Sequence, residues 1–464
     1  MTPRLSLHPV VALALAASIA CGGREATKKS SDAASVRRAP KEATPAATQA
    51  PTAAPRTVVL FVLDTVRADH LHLCGYERPT STFLEKVAAR GAALSCRAVA
   101  PGTWTLPSHA SYFTGSSPTE HHLLNKGLPL DAGFETLAEI YGAAGYATVL
   151  VSANPTLSRE SGVWQGFRIA NVARGVSGEF RGAGLVAEVR EALRGLPRDG
   201  NLFLVVNLFD AHEPYPEVPK GVGWVPPQPQ MRISAKVVDP DHPARAFARG
   251  ELTPERTETF LQNVRNGYDY GVAQADRTAA RVWEALEEDG WLRDGFRLAI
   301  TSDHGEHLGE HQLVGHDGPP WDAVARVFTL FYDSQLPEQP TFPDPLPNRT
   351  IFHLMRDGRL PDPMPAAASA SVAFTDFDDR ARADGIGLWR SPSDKVLWTD
   401  QGAVRFDPVA DPLERAPVVV PPDDAIQSEL MQQRAALDAT KEVLRANGAD
   451  PAMMQTLQAI GYVQ

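Results

Sequence analysis

The sequence predicts an α/β fold: a mostly parallel sheet flanked by helices, followed by a smaller antiparallel sheet. Three observations carry that expectation. From Thr57 onward, apolar runs of strand type alternate with amphipathic helical stretches, the pattern of a parallel sheet with helices on its faces. Four of the strand-type segments run into polar residues: Asp64, Thr105, Asp210 with His212, and Asp303 with His304. After about Ser334, proline-dense connections lead to short strand segments spaced as an antiparallel meander. With 464 residues, 43% of them hydrophobic, the chain can build one large domain and a smaller one.

The chain opens on a segment that reads as an export signal over residues 1–21. Arg4 supplies a positive start, VVALALAASIA an apolar core, and Cys21 follows small residues. That core is too short for a permanent transmembrane helix. Ser18-Ile19-Ala20-Cys21 resembles a bacterial lipobox, whose cysteine is lipidated and becomes the mature N-terminus. The expectation is a protein of the bacterial cell envelope, periplasmic or at the cell surface, meeting the membrane through a lipid anchor only. Residues 22–56, rich in Ala, Pro, Thr, Ser and Lys without apolar periodicity, read as a disordered tether. Cys74 and Cys96 then remain. They could pair in an oxidising compartment, but two buried free thiols are the first expectation.

The larger domain is expected over residues 57–333. TVVLFVLD (Thr57–Asp64) is a buried strand by composition, and a helix follows to Gly91. Ala93–Ala100 is a second strand, leading through PGTWTLPS into a helix that reaches Thr114. Thr136–Tyr146 is a helix before the strand ATVLVS, and Ala183–Leu196 a helix before NLFLVVNL. A long helix over Thr257–Glu288 precedes RLAITSD. Residues 334–464 form the smaller part, with GIGLWRS, KVLWTD and AVRFDP as strands and Ala425–Asn447 as a closing helix.

A net charge of −11 and the lack of a basic patch interleaved with aromatics exclude nucleic acid as a partner. In open α/β sheets ligands bind beyond the carboxyl ends of the strands, where the polar residues gather. Asp64, Asp303 and His304 offer two hard ligands and one borderline one, which favours one divalent Zn or Mn ion, with Ca the alternative. Thr105 has two readings: a helix N-cap, or a hydroxyl at a helix N-terminus that a metal activates as a nucleophile. Asp210, His212 and His316 could hold a second metal. Arg67 and Asp69 read as an ion pair steadying the loop after the first strand. His307 and His311, four apart, could share a helical face and read as scaffold.

With those residues in view, the chain resembles the sulfatase family within the alkaline phosphatase superfamily. The matching stretches are VVLFVLDTVRADHL with CGYERPTS, WTLPSHASYFTG, FDAHEPY and TSDHGEHLGEHQLVGH; WRSPSDKVLWTD, FDPVADPLE and LQAIGYV match more weakly. The resemblance implies an alkaline-phosphatase-like sheet with a small C-terminal antiparallel subdomain. It makes Asp64, Asp303 and His304 metal ligands and Thr105 the nucleophile. His212 and His316 match histidines that contact the ester or protonate the leaving group, while His109, Asn125, Lys126 and Asn154 fall at substrate-contact positions. Several family features are replaced: Thr65 stands for a second Asp, His109 for an Arg, and Asn154 for a Lys/His pair. Thr105 stands for the Cys or Ser that is oxidised to formylglycine, so no formylglycine is expected.

The implied activity is hydrolysis of sulfate or phosphate esters on a small molecule, glycan or lipid headgroup, phosphate mono- and diesters ahead of sulfate esters. The alternatives are a phosphoryl-group transferase of the envelope, of phosphoethanolamine or phosphoglycerol type, and a binding relative without catalysis.

Overall fold

The structure, a computed structural model, describes residues 54–123, 128–175, 180–226, 243–371, 384–399, 402–421 and 430–439, with Pro451 and Gln455. The lipidation expectation at Cys21 and nearly all of the tether lie outside the described residues, as do Asn125, Lys126 and LQAIGYV. Residues 49–464 form one compact unit.

The large sheet contains β1 (Thr57–Leu63), β2 (Ala93–Val99), β3 (Ala147–Ser152), β4 (Ile169–Val172), β5 (Leu202–Leu208) and β6 (Phe296–Thr301). After a two-residue pair, β7 (His307–Leu308) with β8 (Val314–Gly315), come β9 (Arg326–Asp333) and β10 (Leu346–Pro347). The order across the sheet is β10-β2-β9-β6-β1-β5-β3-β4. β1 lies parallel to both β5 and β6, and its seven residues are all buried. A β-branched, apolar run covered on both faces becomes a central strand for that reason. β3 is parallel to β5, while β9 runs antiparallel to both β2 and β6. The carboxyl ends of β1, β2, β3, β5 and β6 therefore share one edge.

The helices are α1 (Thr82–Ala88), α2 (Thr105–Thr114), α3 (Pro118–His121), α4 (Leu137–Ala143), α5 (Ala183–Ala192), α6 (Pro243–Ala248) and α7 (Pro254–Glu288). Two more follow, α8 (Asp322–Ala325) and α9 (Ile351–Asp357). α4 starts in a capping box, Thr136 accepting from Glu139 N–H while the Glu139 carboxylate reaches back. α7 is capped by Thr253 with Pro254 in its first turn, and Phe260, Val264, Tyr268, Val272, Ala275, Ala279 and Val282 bury one stripe against the sheet. No helix among the described residues is long and apolar enough to cross a membrane.

The smaller sheet is a sequential meander of β11 (Ala367–Ser371), β12 (Gly385–Ser391), β13 (Asp394–Thr399), β14 (Gly402–Phe406) and β15 (Val418–Val419). Its first strand, β11, precedes the strands that the sequence suggested. β10 pairs with β2 in the large sheet, and α9 packs on α2 through Phe352 and its neighbours. Of the closing helix, residues 430–439 are described and are helical.

The expectation of free thiols is overturned: Cys74 and Cys96 are disulfide-bonded, with Cα atoms 5.7 Å apart, and neither is fully buried. His307 and His311 share no helical face. His307 lies in β7, and His311 sits in a 3₁₀ turn with φ 53°.

Candidate active site

The site is assembled from the residues that follow the shared strand ends, and each is oriented by one half of its own side chain. Asp64 follows β1. Its Oδ2 accepts from Asn154 Nδ2 at 2.8 Å and Asn207 Nδ2 at 3.1 Å, which leaves Oδ1 buried without a partner. Asp303 follows β6. Its Oδ1 accepts from the backbone N–H of Thr65 (3.1 Å) and His304 (3.0 Å), which leaves Oδ2 in the same condition. His304 places Nδ1 2.9 Å from Gly305 O, so Nδ1 carries the proton and Nε2 presents a lone pair. That Nε2 lies 3.6 Å from Asp303 Oδ2 and 4.0 Å from Asp64 Oδ1. Among the described residues, Asp64, Asp303 and His304 are the group whose donor atoms all fall within 4.8 Å of one another.

The electrostatics of this group call for a cation. Burial, against the hydrogen bonds from Asn154 and Asn207, raises the Asp64 carboxyl to about 6. Burial and then the Asp64 charge raise Asp303 well above the usual carboxylate range. His304 is held neutral by burial, reinforced by the nearby His316. Two buried carboxylates with one unpartnered oxygen each, beside an imidazole lone pair, fit a divalent metal with open positions.

Thr105 is the first residue of α2, and the N-cap is Trp104, which makes no side-chain cap bond. The capping reading of Thr105 is therefore wrong by one position. Its Oγ1 accepts from Asn154 Nδ2 at 3.0 Å and lies 3.5 Å from His304 Nε2. Thr65 holds φ at 60°, a strained conformation for a β-branched residue. There its hydroxyl bonds Asp64 O and its N–H orients Asp303. The glycine of TSDHGE is equally determined, since a Cβ at Gly305 would meet Ala323 O at 2.1 Å.

His316 joins the group, its ring centroid 4.5 Å from His304, 5.1 Å from His212 and 5.5 Å from Trp104. Burial opposes its charge. Glu306, 3.6 Å from Nδ1, with Asp317 and Glu213, more than offsets burial and raises the imidazole to about 9. His212, stacked on Phe209, is held well below the ordinary range by burial and then by the His316 charge. One imidazole is thus protonated beside a neutral one. The second-metal expectation fails on geometry. Asp210, His212 and His316 do not bring three donors within 4.8 Å, and Asp210 feels Arg181 and Thr278 instead.

His109 is wholly buried in α2, Nδ1 bonding Thr105 O at 2.8 Å and lying 3.8 Å from Asp303 Oδ2. Burial lowers it to about 4. Arg67 pairs with Asp69 through two hydrogen bonds, as expected, and also reaches Glu310 and Glu306 O. Two residues escaped the sequence reading. Asn207 is a polar break at the end of the apolar run of β5, the signal already used for its neighbours, and Glu306 sits in plain view in TSDHGE.

The sulfatase family model matches residues 56–339, more than half of the chain, and the protein belongs to that family. Its fold is shared by the phosphonate monoester hydrolase of Agrobacterium radiobacter, at 18% identity and a TM-score of 0.58 over 84% of this chain and 95% of that one. It is shared by the phosphonate monoester hydrolase of Silicibacter pomeroyi, at 17% identity and 0.59 over 86% and 96%. A 2-O GAG sulfatase matches at 16% identity and 0.59 over 86% and 96%. No curated protein sequence matches the chain.

Proposed function

We propose that this sulfatase-family protein is a metal-dependent ester hydrolase with Thr105 as its nucleophile, and that it cleaves phosphorus esters in preference to sulfate esters. One observation supports this most directly: the Thr105 hydroxyl lies 3.5 Å from Nε2 of His304, whose donor atom groups with the unpartnered Oδ1 of Asp64 and Oδ2 of Asp303. A Zn or Mn ion held by those three residues and Thr105 would lower the hydroxyl pKa and offset charge on the reacting ester. The chain does the rest. The α2 N-terminus presents backbone N–H groups and the positive end of the helix dipole to the oxygens of the bound ester. His316, whose charged form Glu306, Asp317 and Glu213 favour, is the proton donor to the departing oxygen, with His212 beside it.

The phosphorus preference follows from the side chain. A formylglycine hydrate has a second hydroxyl that collapses the covalent intermediate; Thr105 has only a methyl group, so water must attack the central atom in line. Enzymes commonly complete that double displacement at phosphorus, and two relatives of the same fold are phosphonate monoester hydrolases. The protein acts in the envelope, held through Cys21. The test is a panel of aryl sulfate, phosphate monoester, phosphodiester and phosphonate monoester substrates on metal-replete enzyme, with intact-mass spectrometry. A higher kcat/KM for the sulfate, or an oxidised Thr105, overturns the reading. Retention of Cys21→Ser in the detergent-only fraction overturns the anchor.

A further inference from the structure

Asn154 stands where a substrate contact was expected, yet its side chain has nothing left to offer a substrate. An asparagine carries two N–H donors and one oxygen with two lone pairs. Nδ2 donates to Asp64 Oδ2 at 2.8 Å and to Thr105 Oγ1 at 3.0 Å. Oδ1 accepts from Thr156 N–H at 2.9 Å and from Thr156 Oγ1–H at 2.7 Å. All four positions are occupied, and both residues are buried. The orientation is also unique. Turned over, the amide would aim its oxygen at the Asp64 carboxylate and its NH2 at the Thr156 donors.

The backbone of Asn154 is held as firmly. Its N–H donates to Ser152 Oγ and its carbonyl accepts from the same hydroxyl, both at 3.0 Å. Ser152 Oγ also lies 3.3 Å from Asn207 Oδ1, and Asn207 is the other donor to Asp64. A closed set of neutral groups thus fixes one N–H on the nucleophilic oxygen and another on the carboxylate beside it.

We propose that Asn154 is a catalytic residue acting on the Thr105 oxygen rather than on the substrate, and that Thr156 is its positioning residue. The inference rests on Thr105 as the nucleophile. In the first displacement the Oγ proton passes to water and the Oγ electron pair bonds phosphorus. The bond from phosphorus to the leaving alcohol breaks with its pair, and that oxygen takes up a proton. In the second, a water oxygen bonds phosphorus and gives up its proton to solvent, while the bond to Oγ breaks and its pair returns to Oγ. Negative charge therefore rests on Oγ at the start of one step and at the end of the other. A hydrogen bond to an ionised oxygen is about twice as strong as one to a neutral oxygen. The Nδ2–H contact thus strengthens as charge builds on Oγ, which is the differential binding that catalysis requires.

Asn154→Ala, Thr156→Val, Thr156→Ser and a Thr105→Ala control would be assayed on the best-cleaved aryl ester. Bound metal would be read by elemental analysis, and inhibition by inorganic phosphate measured alongside. Asn154→Ala is expected to lower kcat on the order of 10²-fold, with KM, phosphate inhibition and metal content near the parent values. Thr156→Val loses one of two bonds to Oδ1 and should lower kcat about 3- to 10-fold, with Thr156→Ser restoring it. A raised KM and weakened phosphate inhibition at parent kcat would make Asn154 a substrate contact and overturn the inference. So would metal loss whose repair by excess metal restores turnover. If Asn154→Ala does not fold, the Thr156 pair decides, and a Thr156→Val as active as the parent overturns the proposal. The two readings fail separately: full activity in Thr105→Ala removes the nucleophile itself, whereas an inactive Thr105→Ala beside a fully active Asn154→Ala removes only this inference.

Discussion

Two buried charge clusters in this molecule look alike in composition and differ in what they leave unsatisfied. Where the smaller sheet meets the larger domain, Lys395 of β13 is wholly buried between Asp322 of α8, at 3.2 Å, and Glu414. Asp322 also accepts from Trp389 Nε1, Glu414 accepts from Asp322 N–H, and the ammonium sits 4.3 Å from the Trp389 ring centroid. No buried polar atom of the three charged side chains lacks a partner. At the strand ends, Asp64 and Asp303 are two acidic groups set side by side, with a neutral imidazole in place of a cation and one unpartnered oxygen each. A satisfied buried ion cluster holds parts of a fold together; an unsatisfied one is built for a ligand that brings the missing charge.

The largest expected effect breaks the unsatisfied cluster. Asp303→Ala or His304→Ala should abolish stoichiometric metal and reduce turnover on the order of 10³-fold or more. Parent-level metal in the variant, by elemental analysis, would mean that the cluster is not the metal site. Lys395→Met tests the other cluster. It leaves two carboxylates buried without their cation and should cost about 3–5 kcal/mol of stability. Turnover per folded molecule and metal content should stay at parent levels, with urea unfolding and elemental analysis as the readouts. Unchanged stability would show that the small sheet is docked by packing alone.

A covalent tie needs no charge partner, and it gives the comparison a neutral reference. Replacing both Cys74 and Cys96 by Ser should lower stability by about 2–4 kcal/mol, the range for a loop of this length. Metal affinity should not change. A fall in metal affinity would show that the 72–74 turn helps hold the donors in place.

How much of this could be read in advance depends on whether a feature is local. The strands were legible because each is an apolar run with a polar residue at its carboxyl end, and Asp64, Asp303 and His304 follow from that rule. The role of Thr105 was not, because an N-cap and a first helical residue differ by one position and carry opposite meanings. Asp210 obeys the strand-end rule too, yet it lies two residues past the end of the β1–β5 register and feels Arg181 and Thr278 rather than joining the Asp64 group. The disulfide and the Lys395 cluster join residues distant in sequence through tertiary contact, which no periodicity reports. Asn154 was legible as a site residue, but its saturation by Thr156 is a matter of ångströms.

The smallest expected effect carries the opposite sign and tests the comparison most closely. In metal-free protein Asp64 is a liability, because burial raises its carboxyl from 3.8 to about 6. A carboxyl with a folded pKa above its unfolded one holds extra protons in the folded state between those values. Its favourable contribution is complete below pH ~4 and is lost as pH rises through ~6. Asp64→Asn removes that loss and keeps the local bonds. Its amide oxygen can still accept from Asn154 and Asn207, and its NH2 would face the free side of Asp303. Metal-free Asp64→Asn should therefore be more stable than metal-free parent at pH 7 by about 1–2 kcal/mol. The gap should close below pH ~4, and the variant should bind metal poorly and turn over little. Thermal unfolding of both proteins in chelator across that pH range decides it. A less stable variant at pH 7 would mean that the Asp64 charge is already compensated within the chain, and that the two clusters are alike after all.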